Sequence, residues 1–346
     1  MTDTNRIAKI VYGMALGDAW GHHLEFKRFE QISQMETPFP LRKAFITDDT
    51  QMSLYAMRGV FDAKKYLPHL SLDTPEVSDK VRVAIGNEFL KWLDDPENNR
   101  APGATCLTAL HKLKDRKEEI SGLFDRRKLN GIEGTQAQSK GCGANMRNPW
   151  FGALPYSHDV IDELSFIQAE ITHSHPLAYS SASLTALIVK DLVDGVIVPV
   201  KGQPVIFEHL LKLAHEHNER EWNRPRANEG FQLIVDYLEK TKPLYLHAVQ
   251  NDDGKEDLCA YLDSEGWIAE EALLIAVLAN ELHSDSLLDT LHRSVRTNGD
   301  SDSIAAIAGS IAGAYTNNEI PPTYIQSLEQ QYREELTEII DTMGKL

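Results

Sequence analysis

Apolar residues recur along most of this chain at helical spacing, and the alternation that marks a strand is almost absent. Ile7, Ile10, Val11 and Met14 describe a first helix whose inward stripe ends at Asp18, with Gly17 and Gly21 on either side of it loosening the chain. Met52, Tyr55, Ala56 and Val60 line one side of a second helix that starts after Thr47. The pattern predicts further helices over residues 77–93, 159–172, 176–193, 207–218, 228–240, 269–282, 286–295 and 303–315. A closing amphipathic helix carries Ile325, Leu328, Tyr332, Leu336 and Ile339. Residues 195–200 read as a short strand or a buried turn. Residues 98–140 are polar and charged, periodic only around Cys106 to Leu113, and read as a variable excursion with some helix. With no internal repeat and no Pro/Gly/Ser linker, the expected fold is all-α: a single compact multi-helix domain over residues 1–346.

Two acidic clusters stand at the starts of predicted helices. Thr47-Asp48-Asp49-Thr50 opens one, and Gly299-Asp300-Ser301-Asp302-Ser303 opens another about 250 residues later. Each sets carboxylates beside hydroxyls, the hard oxygen donors that Mg²⁺ prefers. The segment after the second cluster, residues 304–314, has no polar face, so it is a buried helix. Its small residues let neighbouring backbones come close. Two carboxylates at the mouth of such an interior would cost several kcal/mol each without a counter-charge. The competing reading is that each cluster caps its helix, which suits both N-cap preference and the helix dipole. An EF-hand fails for Asp300-Ser301-Asp302, because the fifth and twelfth loop positions are Ile304 and Ile311.

Charge narrows the partners. The formal net charge of −17 argues against general nucleic-acid binding, since the basic clusters at Arg116-Lys117 and Arg126-Arg127-Lys128 are surrounded by acids. Cys106, Cys142 and Cys259 are scattered and odd in number, which points to a reducing compartment rather than a disulfide framework. No secretory leader or membrane span is apparent, and a cytoplasmic location is expected.

Gly141-Cys142-Gly143-Ala144-Asn145-Met146-Arg147 combines glycines that permit close backbone approach with an amide and a guanidinium able to contact ribose or phosphate, without being a P-loop. Thr172-His173-Ser174-His175 places His173 between two helices, on a candidate pocket wall. Its i, i+2 histidine spacing does not make a zinc site, and no G-x-S-x-G elbow is present.

Taken in order, Gly17-Asp18-Ala19, Thr47-Asp48-Asp49-Thr50, Gly141 to Arg147, Thr172-His173 and Gly299 to Ser303 resemble the ADP-ribosylglycohydrolase family, over roughly residues 6 to 316. The resemblance implies an all-α fold with a dinuclear metal cleft holding two Mg²⁺ ions, with Mn²⁺ as a substitute. It implies Thr47, Asp48, Asp49, Asp300, Asp302 and Ser303 as metal ligands, and Glu25 as an acid near the metals and the scissile ribose. Gly141, Cys142, Gly143, Ala144, Asn145, Met146 and Arg147 would wrap the ADP-ribose, His173 would line the same cleft, and Asp18 would support the metal ligands from behind. Cys142 stands where the family commonly has asparagine, Ser303 where threonine is more frequent, and Asn298 where glycine is usual.

The expected reaction is Mg²⁺-dependent hydrolysis of the N-glycosidic bond between ADP-ribose and arginine on a modified protein, through an oxocarbenium-like transition state. Glu25 or Asp49 would handle protons. Hydrolysis of ADP-ribosylserine or of free ADP-ribose derivatives is the enzymatic alternative. The non-enzymatic alternative is an immunity-type protein that occludes an ADP-ribosylating toxin, an ADP-ribosyltransferase.

Overall fold

The computed structural model describes residues 3–33, 42–115, 138–222, 224 and 226–346. Helices of eight residues or more are α1 (Thr4–Gly21), α2 (Asp48–Asp62), α3 (Pro75–Leu93), α4 (Ala104–Asp115), α5 (His158–Glu170) and α6 (Pro176–Val193). They continue as α7 (Val205–Glu219), α8 (Ala227–Asn251), α9 (Ala269–Leu282), α10 (Leu287–Ser294), α11 (Ser301–Tyr315) and α12 (Gln330–Met343). Among the described residues strand pairing is limited to two isolated bridges, Ala44 with Leu328 and Gly141 with Ile268. The fold is all-α and forms one domain with one continuous apolar core.

Three helices, α6, α9 and α11, are buried on nearly every side, as an apolar circumference requires. α1 runs antiparallel along α11, and glycines set their spacing. A Cβ on Gly13 would lie 2.4 Å from the Gly309 carbonyl oxygen, and one on Gly17 would lie 2.2 Å from that of Ala305. One on Gly21 would lie 2.4 Å from the Cα of Asp302, and one on Gly313 2.4 Å from the carbonyl oxygen of Lys9. Backbone therefore rests on backbone along the whole contact. Gly17 and Gly21 do not loosen the chain; they stay helical and are the contact surface. In consequence the last turn of α1, with Asp18, meets the first turn of α11, with Asp302.

Elsewhere the structure departs from the sequence pattern for identifiable reasons. The helix expected to end at residue 240 continues through Pro243 to Asn251, because Tyr245, Ala248 and Val249 extend the buried stripe of Ile234, Leu238 and Thr241. The closing helix is split: Pro322–Ser327 forms one turn, and α12 begins only after Leu328 pairs with Ala44. Residues 195–200 are an exposed turn rather than a strand, with Val196 61% and Val198 71% exposed. Within the 98–140 excursion, α4 covers the periodic part. Residues 116–137, with both basic clusters, and residues 34–41, with Pro38 and Pro40, lie outside the described residues. No described helix is long and apolar enough to cross a membrane.

Gly17→Ala forces a methyl group into the Ala305 peptide, and should lower stability by about 1–3 kcal/mol, as overpacking of a tight core does. Urea unfolding measures this. A loss below about 0.5 kcal/mol, the usual scatter of neutral substitutions, would show that the two helices are free to separate.

Candidate metal centre

Asp18 is fully buried, and both of its carboxylate oxygens are used to hold the start of α2. They accept the backbone N–H of Thr47 at 3.0 Å and of Thr50 at 3.1 Å, and the hydroxyls of Thr47 at 2.8 Å and Thr50 at 2.5 Å. The end of α1 thereby fixes the position of Asp48 and Asp49. Thr47 also caps α2, its hydroxyl 3.3 Å from the backbone nitrogen of Asp49. Asp48 accepts the N–H of Gly103 at 3.1 Å, just ahead of α4.

The second cluster reaches the first directly. Ser303 donates its hydroxyl to Asp49 at 2.9 Å, across 254 positions of sequence. Asp300 caps α11, accepts the backbone N–H of Ser303 at 3.4 Å, and takes the thiol of Cys142 at 2.6 Å. The turn before it needs Gly299, whose φ is +81° and where a Cβ would stand 2.0 Å from the Glu265 carbonyl oxygen. Carboxylate oxygens of Asp18, Asp49 and Asp302 lie within 4.8 Å of one another. A nitrogen of His22 and carboxylate oxygens of Glu25 and Asp302 form a second group of the same size, so Asp302 belongs to both.

Burial, reinforced by neighbouring carboxylates, holds Asp48, Asp49 and Asp302 well above the usual carboxylate range. Burial likewise raises Asp18, against the hydrogen bonds it accepts. Glu25 is pushed up to about 7 by burial and by Asp300. Among the described residues Asp48, Asp49 and Asp302 form no ion pair with a basic side chain; the buried Arg147 acts on Asp48 and Asp49 only through longer-range attraction. The rest of the fold treats buried acids differently. Glu163 and Glu170 meet Arg224, Glu170 also meets Arg82 at 2.7 Å, and these arginines overcome burial to hold Glu170 at about 2. The cluster between α1, α2 and α11 sets carboxylates beside hydroxyls, and among the described residues no lysine or arginine pairs with them. Such a donor set fits a divalent cation bound by oxygen.

Gly141 to Arg147 runs beside this cluster. It pairs with residues 267–269: Lys140 accepts the N–H of Ala269 at 2.9 Å, and Cys142 donates its N–H to Trp267 at 3.3 Å. Gly141 and Gly143 keep partial exposure, whereas Cys142, Ala144, Asn145, Met146 and Arg147 are buried. Asn145 donates to the carbonyl of Ala269 at 3.0 Å and accepts the hydroxyl of Thr185. Arg147 spends its donors inside the protein, on Gln168 (2.6 Å), the Gly143 carbonyl (2.8 Å), Cys106 (3.5 Å), the Gln168 carbonyl (3.0 Å) and Thr172 (2.7 Å). It also stacks on Phe89. The amide and guanidinium read from sequence as ligand contacts are therefore turned inward, where they hold the loop. His173 is buried beneath Gly143, with Nδ1 2.8 Å from the Thr172 hydroxyl. Burial and Arg147 hold its pKa down to about 3, so the ring is neutral.

The hydrophobic pattern and motifs of the sequence do not single out His22, Gly103 or the Gly13–Gly309 contact. The glycines were legible as a repeat every four positions, at 13, 17 and 21 on one helix and at 309 and 313 on the other. Nothing in the sequence marks His22 or Gly103.

The whole chain, residues 1–346, matches the family model described as ADP-ribosylglycohydrolase, and the chain belongs to that family. It is similar to the ADP-ribosyl-[dinitrogen reductase] glycohydrolase of Rhodospirillum rubrum, at 24% identity over 345 residues, covering 96% of this chain and 92% of that one. It is also similar to ADP-ribosylhydrolase ARH3 of Homo sapiens, at 27% identity over 304 residues, covering 82% of this chain and 75% of that one. Among solved structures, a chain described as an ADP-ribosylglycohydrolase-related protein complex shares the fold. Its TM-score is 0.59 at 19% identity, covering 99% of this chain and 98% of that one. Membership of the family makes this protein a glycohydrolase of the ADP-ribosylation type.

Because Asp18, Glu25, Asp48, Asp49 and Asp302 titrate above their unfolded values, the cation-free protein gains stability as they take up protons and loses it as pH rises through the folded pKa values, Glu25 near 7 among them. Cations compete with those protons. Added Mg²⁺ should therefore raise the unfolding temperature more at pH 8 than at pH 6. A shift of equal size at both values, or none at either, would place the cation elsewhere.

Proposed function

We propose that this protein is a Mg²⁺-dependent ADP-ribosylhydrolase that releases ADP-ribose from arginine on modified proteins. The observation that carries this reading is the Ser303–Asp49 contact, which joins two acidic clusters into one buried site, without an ion pair to lysine or arginine among the described residues, inside a glycohydrolase fold. Thr47, Asp48, Asp49, Asp300, Asp302 and Ser303 are the residues that would hold two ions. When bound, the cations supply charge neutralisation, a grip on the ribose hydroxyls and an activated water.

The chain's own groups supply the rest. Glu25, half-buried and near 7, is suited to exchange a proton at neutral pH. Asp18 positions Asp48 and Asp49 through the first turn of α2. The Cys142 thiol holds Asp300, the role left to it where the family commonly has asparagine. The partly exposed Gly141 and Gly143 let a ligand approach the loop backbone, while the buried Arg147 and His173 keep that loop in place. Positive character developing on the ribose as the bond breaks would be favoured by the surrounding carboxylates. Similarity to the ADP-ribosyl-[dinitrogen reductase] glycohydrolase of Rhodospirillum rubrum runs almost the full length of both chains and supports an ADP-ribosylated protein as the substrate.

Asp302→Asn should reduce release of ADP-ribose from an arginine-linked substrate by at least about 100-fold, the range seen when one element of a preorganised charge-stabilising site is removed, with circular dichroism unchanged. Chelation should do the same. Undiminished turnover in chelator would defeat the metal mechanism, and turnover of serine-linked but not arginine-linked peptides would reassign the linkage.

A further inference from the structure

The second ligand group differs from the first in one atom type. The Asp18, Asp49 and Asp302 group offers oxygen alone, whereas the group of Glu25 and Asp302 includes a ring nitrogen of His22. His22 directly follows α1 and donates its backbone N–H to the main-chain carbonyl of Asp18 at 2.9 Å, so the glycine-packed end of α1 places the residue. Its Nδ1 is buried and has no hydrogen-bond partner among the described residues. Glu25 Oε2 is 4.0 Å away, too far for a hydrogen bond. A buried ring nitrogen left without a partner is destabilising, because it has lost water and gained nothing in return. Its companions are two carboxylates that also need positive charge.

By plane geometry, a point shared by three atoms spaced within 4.8 Å lies no more than about 2.8 Å from each. Metal bonds to imidazole and carboxylate are about 2.0–2.2 Å, so side-chain shifts of under about 1 Å would close the group on an ion. The ring is partly open to solvent on its other side, with 36% side-chain exposure, which leaves the residue room to make that shift.

Oxygen ligands suit Mg²⁺, which binds nitrogen poorly, whereas an imidazole raises affinity for the later first-row divalent ions. We propose that His22 Nδ1 joins Glu25 and Asp302 as a metal ligand, so that this position takes a transition ion such as Co²⁺ in preference to Mg²⁺ while the all-oxygen position accepts either. This rests on the metal-site reading above and assigns the two positions different selectivity.

The test uses Co²⁺, Mn²⁺ and Mg²⁺ on the full chain, comparing the unaltered protein with His22→Ala and His22→Gln, each checked for folding by thermal melt. Calorimetry should show Co²⁺ bound at least tenfold more weakly in both variants, with Mg²⁺ affinity changed less than twofold. Pulsed electron paramagnetic resonance of the Mn²⁺-loaded protein should show coupling to an imidazole ¹⁴N, and both variants should lack it. Absence of ¹⁴N coupling in the unaltered protein, or equal weakening of Co²⁺ and Mg²⁺, overturns the assignment of His22 and leaves the oxygen site intact. If the unaltered protein binds none of the three ions, the metal-site reading fails as well. Asp302→Asn, which removes the acid common to both groups, should weaken all three ions.

Discussion

The contact between α1 and α11 is the constraint from which the site follows. Gly13, Gly17 and Gly21 face Gly309, Ala305 and the first turn of α11 with no side chain between them, so two helices from opposite ends of the chain run backbone against backbone. Dispersion is strongest at such distances, and small residues are what permit them. The antiparallel sense matters as much as the closeness. It brings the carbonyl end of α1, with Asp18 and His22, against the amide end of α11, with Asp300 and Asp302. Nothing local to either acidic segment would create that juxtaposition.

Asp18 carries the arrangement one step further. Its carboxylate is consumed by the backbone and hydroxyls of Thr47 and Thr50, which makes it a clamp on α2. Asp48 and Asp49 are thus delivered to a position set by α1, and Ser303 closes the ring from α11. The result is a dense group of buried acids with no ion pair to an arginine or lysine among the described residues, although the fold pairs Glu163 and Glu170 with Arg224 and Arg82 elsewhere. In the cation-free state burial is the main cause that raises Asp48, Asp49 and Asp302 above the usual carboxylate range and so favours their protonated forms. Neutralisation by metal replaces neutralisation by proton, which is the physical basis for reading the cluster as a metal centre.

Much of this was legible in the sequence, and the exceptions are instructive. Helix α6 was readable from Pro176 to Val193, because a proline at its first turn and continuous apolar content leave little choice. The acidic clusters were visible because hydroxyls and carboxylates adjoin an apolar run. The direction of Asn145 and Arg147 was not visible, since an amide and a guanidinium in a glycine loop satisfy interior carbonyls as readily as a ligand. The break at Leu328 depends on Ala44, far off in sequence, and the passage of α8 through Pro243 depends on the core that Tyr245 and Ala248 enter. His22 was silent for a similar reason: its nitrogen gains meaning only beside Glu25 and Asp302.

The most direct measurement is anomalous diffraction from crystals of this protein soaked in Mn²⁺ and ADP-ribose. The expected result is manganese between Asp49, Asp302 and Ser303, with the ribose above it and the Gly141 to Arg147 loop alongside. Manganese confined to surface acids, with Asp49 and Ser303 still hydrogen-bonded to each other and ADP-ribose bound elsewhere, would contradict the account.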